Sequence, residues 1–151
     1  MATFKTTYRV TRVDRDASGA VHFHNYFCFF QRAEEDFYRN ISCNLQEIMD
    51  KYDVWIRKVE AFCQLKKPSQ SNDLLEIEVA VKEIEEKAVR YAFTMREKET
   101  GVTVAEGHVI EVAEDKCSSK VVSIPSELAE KLKAFAKSTL KKEQKIFETP
   151  R

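Results

Sequence analysis

The chain has 151 residues, 43% of them hydrophobic, which is enough for one compact core and too few for two, so residues 1–151 read as a single domain. Lysine plus arginine equals aspartate plus glutamate at 25 each, which leaves no basic field to gather phosphate backbones and argues against nucleic acid as a partner. Cys28, Cys43, Cys63 and Cys117 are scattered without CxxC or Cys/His ligand spacing, so no metal is expected and reduced thiols are. No window approaches the ~20 apolar residues of a membrane span, and MATFKTTYRV lacks the apolar stretch of an export signal. The expectation is a soluble cytoplasmic protein.

Thr6 to Val13, TTYRVTRV, is rich in threonine, valine and tyrosine and predicts a first strand. Asp16-Ala17-Ser18-Gly19 follows as a turn, with Gly19 available for positive φ. From Tyr26 the period changes. Tyr26, Phe29, Phe30, Ala33, Phe37 and Ile41 recur every three or four residues, while Gln31, Arg32, Glu34, Glu35 and Arg39 fill the other side. This is the pattern of an amphipathic helix with a bulky aromatic face. Glu34 and Glu35 fall on its solvated side, and Asn25 is expected as the N-cap. Asn44 to Tyr52 reads as a second short helix ending near Asp53.

Strand-like alternation begins after Asp53. Over 55–65, Trp55, Val59, Ala61, Cys63 and Leu65 share one face, with Arg57 the exception. Leu75, Ile77, Val79 and Val81 alternate with Glu76, Glu78 and Lys82. After a charged turn, Val89, Tyr91, Phe93 and Met95 alternate with Arg90, Thr94 and Arg96. These two segments predict an antiparallel hairpin with one wet face. Lys98 to Gly101 turns the chain, Val102 to Val112 makes a long strand containing His108, read as structural, and Lys120 to Ile124 makes a short edge strand before Pro125. Ser126 caps a helix over about 126–147, with Leu128, Leu132, Phe135 and Leu140 on one side and the lysines from Lys131 to Lys145 as its solvated surface. The order predicts an α+β domain in which a sheet curls around one bulky helix.

The stretch from Asp14 to Tyr26, DRDASGAVHFHNY, puts an acid, a glycine turn, two histidines and an asparagine directly before the aromatic helix. A helix start leaves backbone N–H groups without intrahelical partners and carries partial positive charge, so an acyl oxygen developing negative charge can be held there beside Asp16. The plainer reading of Asp16 is a turn aspartate that caps local N–H groups, and the plainer reading of His22 and His24 is local packing.

Asp16 to Tyr26, DASGAVHFHNY, resembles the opening motif of the 4-hydroxybenzoyl-CoA thioesterase family of hotdog-fold acyl-thioester hydrolases. That motif runs Asp, a small residue, a variable one, Gly, an apolar pair, two often aromatic positions and Asn-Tyr leading into the central helix. KKPSQSNDLLEIEV, Lys66 to Val79, is similar to the family's approach to its third strand, and VAEGHVIEVAED followed by VVSIP-SEL is similar to its last strands. The resemblance implies a curved antiparallel sheet of about five strands wrapped around a long central helix, plus a C-terminal helix. It also implies a homodimer with joined sheets, in some members paired into a homotetramer, with the substrate between subunits.

For this chain the resemblance assigns Asp16 as nucleophile or general base and the Phe23 backbone N–H as oxyanion donor. Gly19, Val21, His22, His24, Asn25 and Tyr26 fall in the substrate-binding motif. Where an aromatic-acyl member meets CoA phosphates with a basic cluster, this chain has Glu85, Glu86 and Lys87, so only Lys87 is carried over as a CoA contact. The implied partners are acyl-CoA or acyl carrier protein, and the implied cofactor is none, CoA entering only as part of the substrate. An ionised Asp attacks a thioester to give an anhydride or deprotonates a water, and the thiolate leaves readily. Two other functions stand beside hydrolysis: a non-catalytic acyl-CoA-binding module, which in known cases carries a fused DNA-binding segment not found here, and a hydratase or dehydratase, which needs an Asp/His or Glu/His pair.

Overall fold

The structure, a computed structural model, describes residues 2–69 and 73–148, with side chains described through residue 137. In chain order the elements are β1 (Thr3–Arg9), α1 (Asn25–Asn40), α2 (Leu45–Tyr52), β2 (Val54–Leu65), β3 (Leu74–Ile84), β4 (Ala88–Glu97), β5 (Thr103–Asp115), β6 (Val121–Val122) and α3 (Ser126–Glu148). Among the described residues the strands form one antiparallel sheet in the order β1-β3-β4-β5-β2, with β6 paired onto β5. The expected α+β architecture is present, with α1 held in the curve of the sheet. No helix among the described residues is long and apolar enough to cross a membrane.

The alternation on β3 and β4 becomes core packing. Ile77 and Val79 pair in register with Met95 and Phe93, and these residues are buried together with Leu75 in the core that includes α1. From the helix side Tyr26, Phe29, Phe30, Ala33 and Phe37 are buried, with Phe30 stacked on Phe93 at 4.7 Å between centroids. Leu128 and Leu132 of α3 join this core, and Phe37 meets Phe135 edge-on at 4.9 Å. The predicted contribution of Leu140 lies outside the described side chains.

Two predicted elements differ from the structure. The first strand starts and ends earlier than Thr6 to Val13. Val10 N–H bonds to the Asp73 carbonyl, after which the chain enters a 3-10 turn over Arg12–Asp14, where the Asp14 carboxylate accepts from the N–H and hydroxyl of Thr11. In β2 the predicted face breaks at a bulge between Lys58 and Glu60. An inserted residue flips every side chain beyond it, so Trp55 lies outward while Ile56 and Lys58 point toward the helix, and Ala61, Cys63 and Leu65 regain the inner side only after the bulge. Trp55 is 41% exposed and Val59 58%. The short helix expected over Asn44 to Tyr52 is α2, with Asn44 as its N-cap accepting from Glu47 N–H and Asp53 ending it in a left-handed conformation.

Candidate active site

A hairpin carries Asp16 to the start of α1. Arg15 bridges Val21, Asp16 N–H donates to the Ala20 carbonyl, and Gly19 closes the turn on the Asp16 carbonyl with φ 89°. Asp14 is the strut that fixes this hairpin to the helix. Its carbonyl accepts from His22 N–H at 3.0 Å and from the Asn25 side-chain amide at 2.9 Å. Asn25 is therefore not the N-cap. His24 occupies that position without a side-chain cap bond, and Asn25 sits inside the helix with its amide spent on Asp14. Sequence reasoning passed over Asp14, whose burial was the missing signal.

Hydrogen bonds from the Ser18 hydroxyl and N–H converge on Asp16 Oδ1 and hold the carboxyl below its usual range, so Asp16 is a carboxylate at neutral pH. The Ala20 N–H adds a smaller contribution in the same direction. The capping reading of Asp16 is thus realised. Between Val21 and Tyr26, the N–H groups of Val21, His22, Asn25 and Tyr26 bond to the carbonyls of Ser69, Asp14, His22 and Phe23. Phe23 and His24 have no such acceptor among the described residues. The predicted oxyanion donor, the Phe23 amide, is one of these two, at the positive end of α1; the Phe23 side chain is 72% exposed.

The remaining predicted residues divide. His22 and His24 stack on one another at 5.2 Å, and His22 is near enough to Asp16 to favour its ionised form. Val21 and Tyr26 are buried, and the Tyr26 hydroxyl accepts from Ser69 N–H at 3.2 Å. Lys87 lies beyond the far end of β3, whose first residue pairs with Arg9 near the hairpin. Ten strand steps of ~3.3 Å separate the two ends, a span of roughly 33 Å within one chain. His108 is on the outer sheet face, bonded to Glu60 at 2.6 Å and stacked on Phe62, in keeping with a structural role. Of the C-terminal lysines, Lys131 donates to the Ser42 carbonyl at 2.9 Å, and those after Lys137 lie outside the described side chains.

Glu34 overturns the expectation of a solvated face, since it is 2% exposed. The sheet wraps more of α1 than an amphipathic stripe requires and buries this position against β2 and β5. Lys58 Nζ lies 3.2 Å from Glu34 and 3.0 Å from Glu111, and the Tyr38 hydroxyl, 2.7 Å from that of Tyr91, donates to Glu111 at 3.0 Å. Burial, then the neighbouring Glu111 carboxyl, pushes the Glu34 carboxyl up to about 9. Burial alone would lower Lys58, but the two carboxylates raise it. The folded state thus keeps a proton on Glu34 that the unfolded chain releases near pH ~4.3. Stability from this group is complete below that pH and is lost as pH rises toward 9, at up to about 1.4 kcal/mol per pH unit. Glu34→Gln is expected to flatten this slope and to stabilise the protein at pH 8. Urea unfolding at pH 6, 7 and 8 checks it, and equal slopes in both proteins would refute the protonated state.

Comparison with known proteins gives a consistent picture. The family described as acyl-ACP thioesterase N-terminal domain matches residues 1–132. A protein of Aquifex aeolicus (strain VF5) described as a putative esterase is 28% identical over 125 residues, covering 83% of this chain and 94% of that one. Among solved structures, a gentisyl-coenzyme A thioesterase superposes with TM-score 0.74 at 26% identity, covering 85% of this chain and 99% of its own. A 1,4-dihydroxy-2-naphthoyl-CoA thioesterase from Synechocystis reaches TM-score 0.81 at 18% identity, covering 86% and 95%. The fold they share with this chain is the hotdog.

Proposed function

The chain belongs to the acyl-ACP thioesterase N-terminal domain family of hotdog thioesterases, and on that premise we propose that it hydrolyses an acyl thioester with Asp16 as nucleophile or general base and the Phe23 amide as oxyanion donor. The observation that carries this reading is the pairing of an ionised Asp16, tied down by Ser18 on one oxygen, with an unengaged Phe23 amide at the start of α1. An N–H preset at that point contributes roughly 2.7 to 4 kcal/mol by analogy with measured oxyanion donors. The Asp-first motif resembles that of the 4-hydroxybenzoyl-CoA type, and the aromatic acyl groups named for the two CoA thioesterases above make aromatic acyl thioesters the first substrates to try.

The carrier is read as pantetheine, common to CoA and acyl carrier protein, because Glu85 and Glu86 stand where a phosphate-binding cluster would be and Lys87 is remote from Asp16 within one chain. Thiol release is the test. Aromatic, short and long acyl-CoAs and the matching acyl carrier proteins are offered, and release from none of them defeats the proposal.

A second chain is expected to complete the site. β2 is a twelve-residue edge strand with Val59 58% and Phe62 50% exposed, an arrangement that invites pairing with another strand. Its inner residues beyond the bulge, Ala61 and Leu65, are exposed, as are Phe27 and Gln31 of α1. Joining two sheets through β2 would cover this end of the strand. Light scattering at micromolar concentration should give the mass of two chains, or of four if dimers pair, and the mass of one chain overturns the shared-site part of the proposal.

A further inference from the structure

The cavity between α1, α2 and β2 is lined by Glu34, Glu35, Tyr38, Met49, Lys58 and Glu111 among others and measures about 140 Å³. It shares Glu35, Tyr38, Leu45 and Met49 with a groove of about 590 Å³ running between α1 and α2. Three carboxyl side chains therefore line the small cavity against the single ammonium of Lys58, an excess of two formal negative charges when all are ionised. Glu111 is well supplied with donors, from Tyr38 at 3.0 Å and Lys58 at 3.0 Å. Glu34 is not. Its neighbours are the Lys58 ammonium at 3.2 Å, which it shares with Glu111, and the Glu111 carboxyl itself, and its buried oxygens have no other hydrogen-bond partner among the described residues. A buried acceptor short of donors is destabilising, so a group that brings donors into this cavity recovers part of that cost.

The chemistry of the walls selects the group. An anionic head would face Glu34, Glu35 and Glu111 together, and an apolar head would leave Glu34 as it is. An ammonium supplies three donors and positive charge, so it serves Glu34 and a second carboxylate at once. Leu45, Met49, Ile56 and the Tyr38 ring provide apolar walls for what is attached to it. We propose that this cavity binds the primary ammonium of a short alkyl- or arylamine, with the apolar chain lying toward the α1/α2 groove. The site is separate from the Asp16 hairpin and does not rest on the thioesterase reading.

Occupation is coupled to protons, because Glu34 must ionise to pair with the ligand. The titratable and charged groups facing it are Glu111 of β5, Lys58 of β2, Glu35 and Tyr38 of α1 and, behind Tyr38, Tyr91 of β4. α2 contributes only Leu45 and Met49 to this cavity.

Titration calorimetry of the full chain with n-hexylammonium at pH 8, in two buffers of different ionisation enthalpy, tests the proposal. 1-Hexanol and hexanoate serve as comparators, and Glu34→Gln is run in parallel. The expected result is hexylammonium binding with release of a proton, at least tenfold weaker binding of hexanol, and none of hexanoate. Glu34→Gln, neutral and of the same shape, should lose at least tenfold in amine affinity while keeping its circular dichroism spectrum. Amide chemical shifts should move on α1, α2 and β2. No amine binding, equal binding of hexanol, or unchanged affinity in Glu34→Gln overturns the proposal. None of these outcomes bears on thiol release, which is measured without amine.

Discussion

Asp16→Asn is expected to lower thioester turnover by roughly 10²- to 10⁴-fold, the range associated with a positioned acid–base group. The folded state should change little. Asn keeps an acceptor oxygen for the Ser18 N–H and hydroxyl that hold the turn, and the remaining hairpin bonds, Asp16 N–H to Ala20 and Gly19 N–H to Asp16, are backbone to backbone. What disappears is the negative charge and the acceptor capacity of the second carboxylate oxygen. Substrate affinity should hold while kcat falls, because the lost interaction acts on the reacting carbonyl. Thiol release and a thermal melt on the same preparation decide the matter. A variant that melts with the wild type and retains its turnover removes Asp16 from the mechanism, whereas one that fails to fold would show that the Ser18 contacts need the charge.

How far the sequence led can be judged residue by residue. Leu75, Ile77, Val79, Tyr91, Phe93 and Met95 could be placed because a sheet with one dry face writes a period of two directly into the chain. The aromatic face of α1 was equally legible at its own period. The hairpin at Asp16 came from turn chemistry and a motif, and its hydrogen bonds agree with both. Three features were not readable. The β2 bulge depends on where β5 offers partners, and a strand's own residues do not record that. Glu34 sits at a position that periodicity assigns to water, and only the curl of the sheet and the arrival of Lys58 from β2 turn it inward. Asn25 has the chemistry of a cap, yet it serves as a strut because Asp14 presents a carbonyl eleven residues earlier. In each case the deciding partner is distant in sequence, so local pattern carries no trace of it.

Gly107→Ala is expected to cost about 3 kcal/mol or more, at or beyond the upper end of the range for added volume in a packed core. A Cβ at this position would stand 2.2 Å from the Phe62 carbonyl oxygen, 2.8 Å from Phe30 Cε2 and 3.3 Å from Cys63 Cα. Two of these three atoms are β2 backbone, directly across the ladder where Gly107 pairs with Cys63. Phe30 cannot turn aside freely, being buried and stacked on Phe93. The methyl is therefore accommodated only by prising β2 from β5 over Ala61 to Leu65, at the exposed end of β2. For a chain of this size the loss corresponds to a fall in Tm of about 6–12 °C. Gly19→Ala is the natural comparison, because a Cβ there meets nothing within 4 Å and the strain comes from φ 89° alone. That substitution should cost about 1 kcal/mol. Thermal melts of the two variants separate crowding from backbone strain. A Gly107→Ala protein no less stable than Gly19→Ala would mean that β2 yields easily, and that end of the strand would then have to be regarded as adjustable rather than fixed.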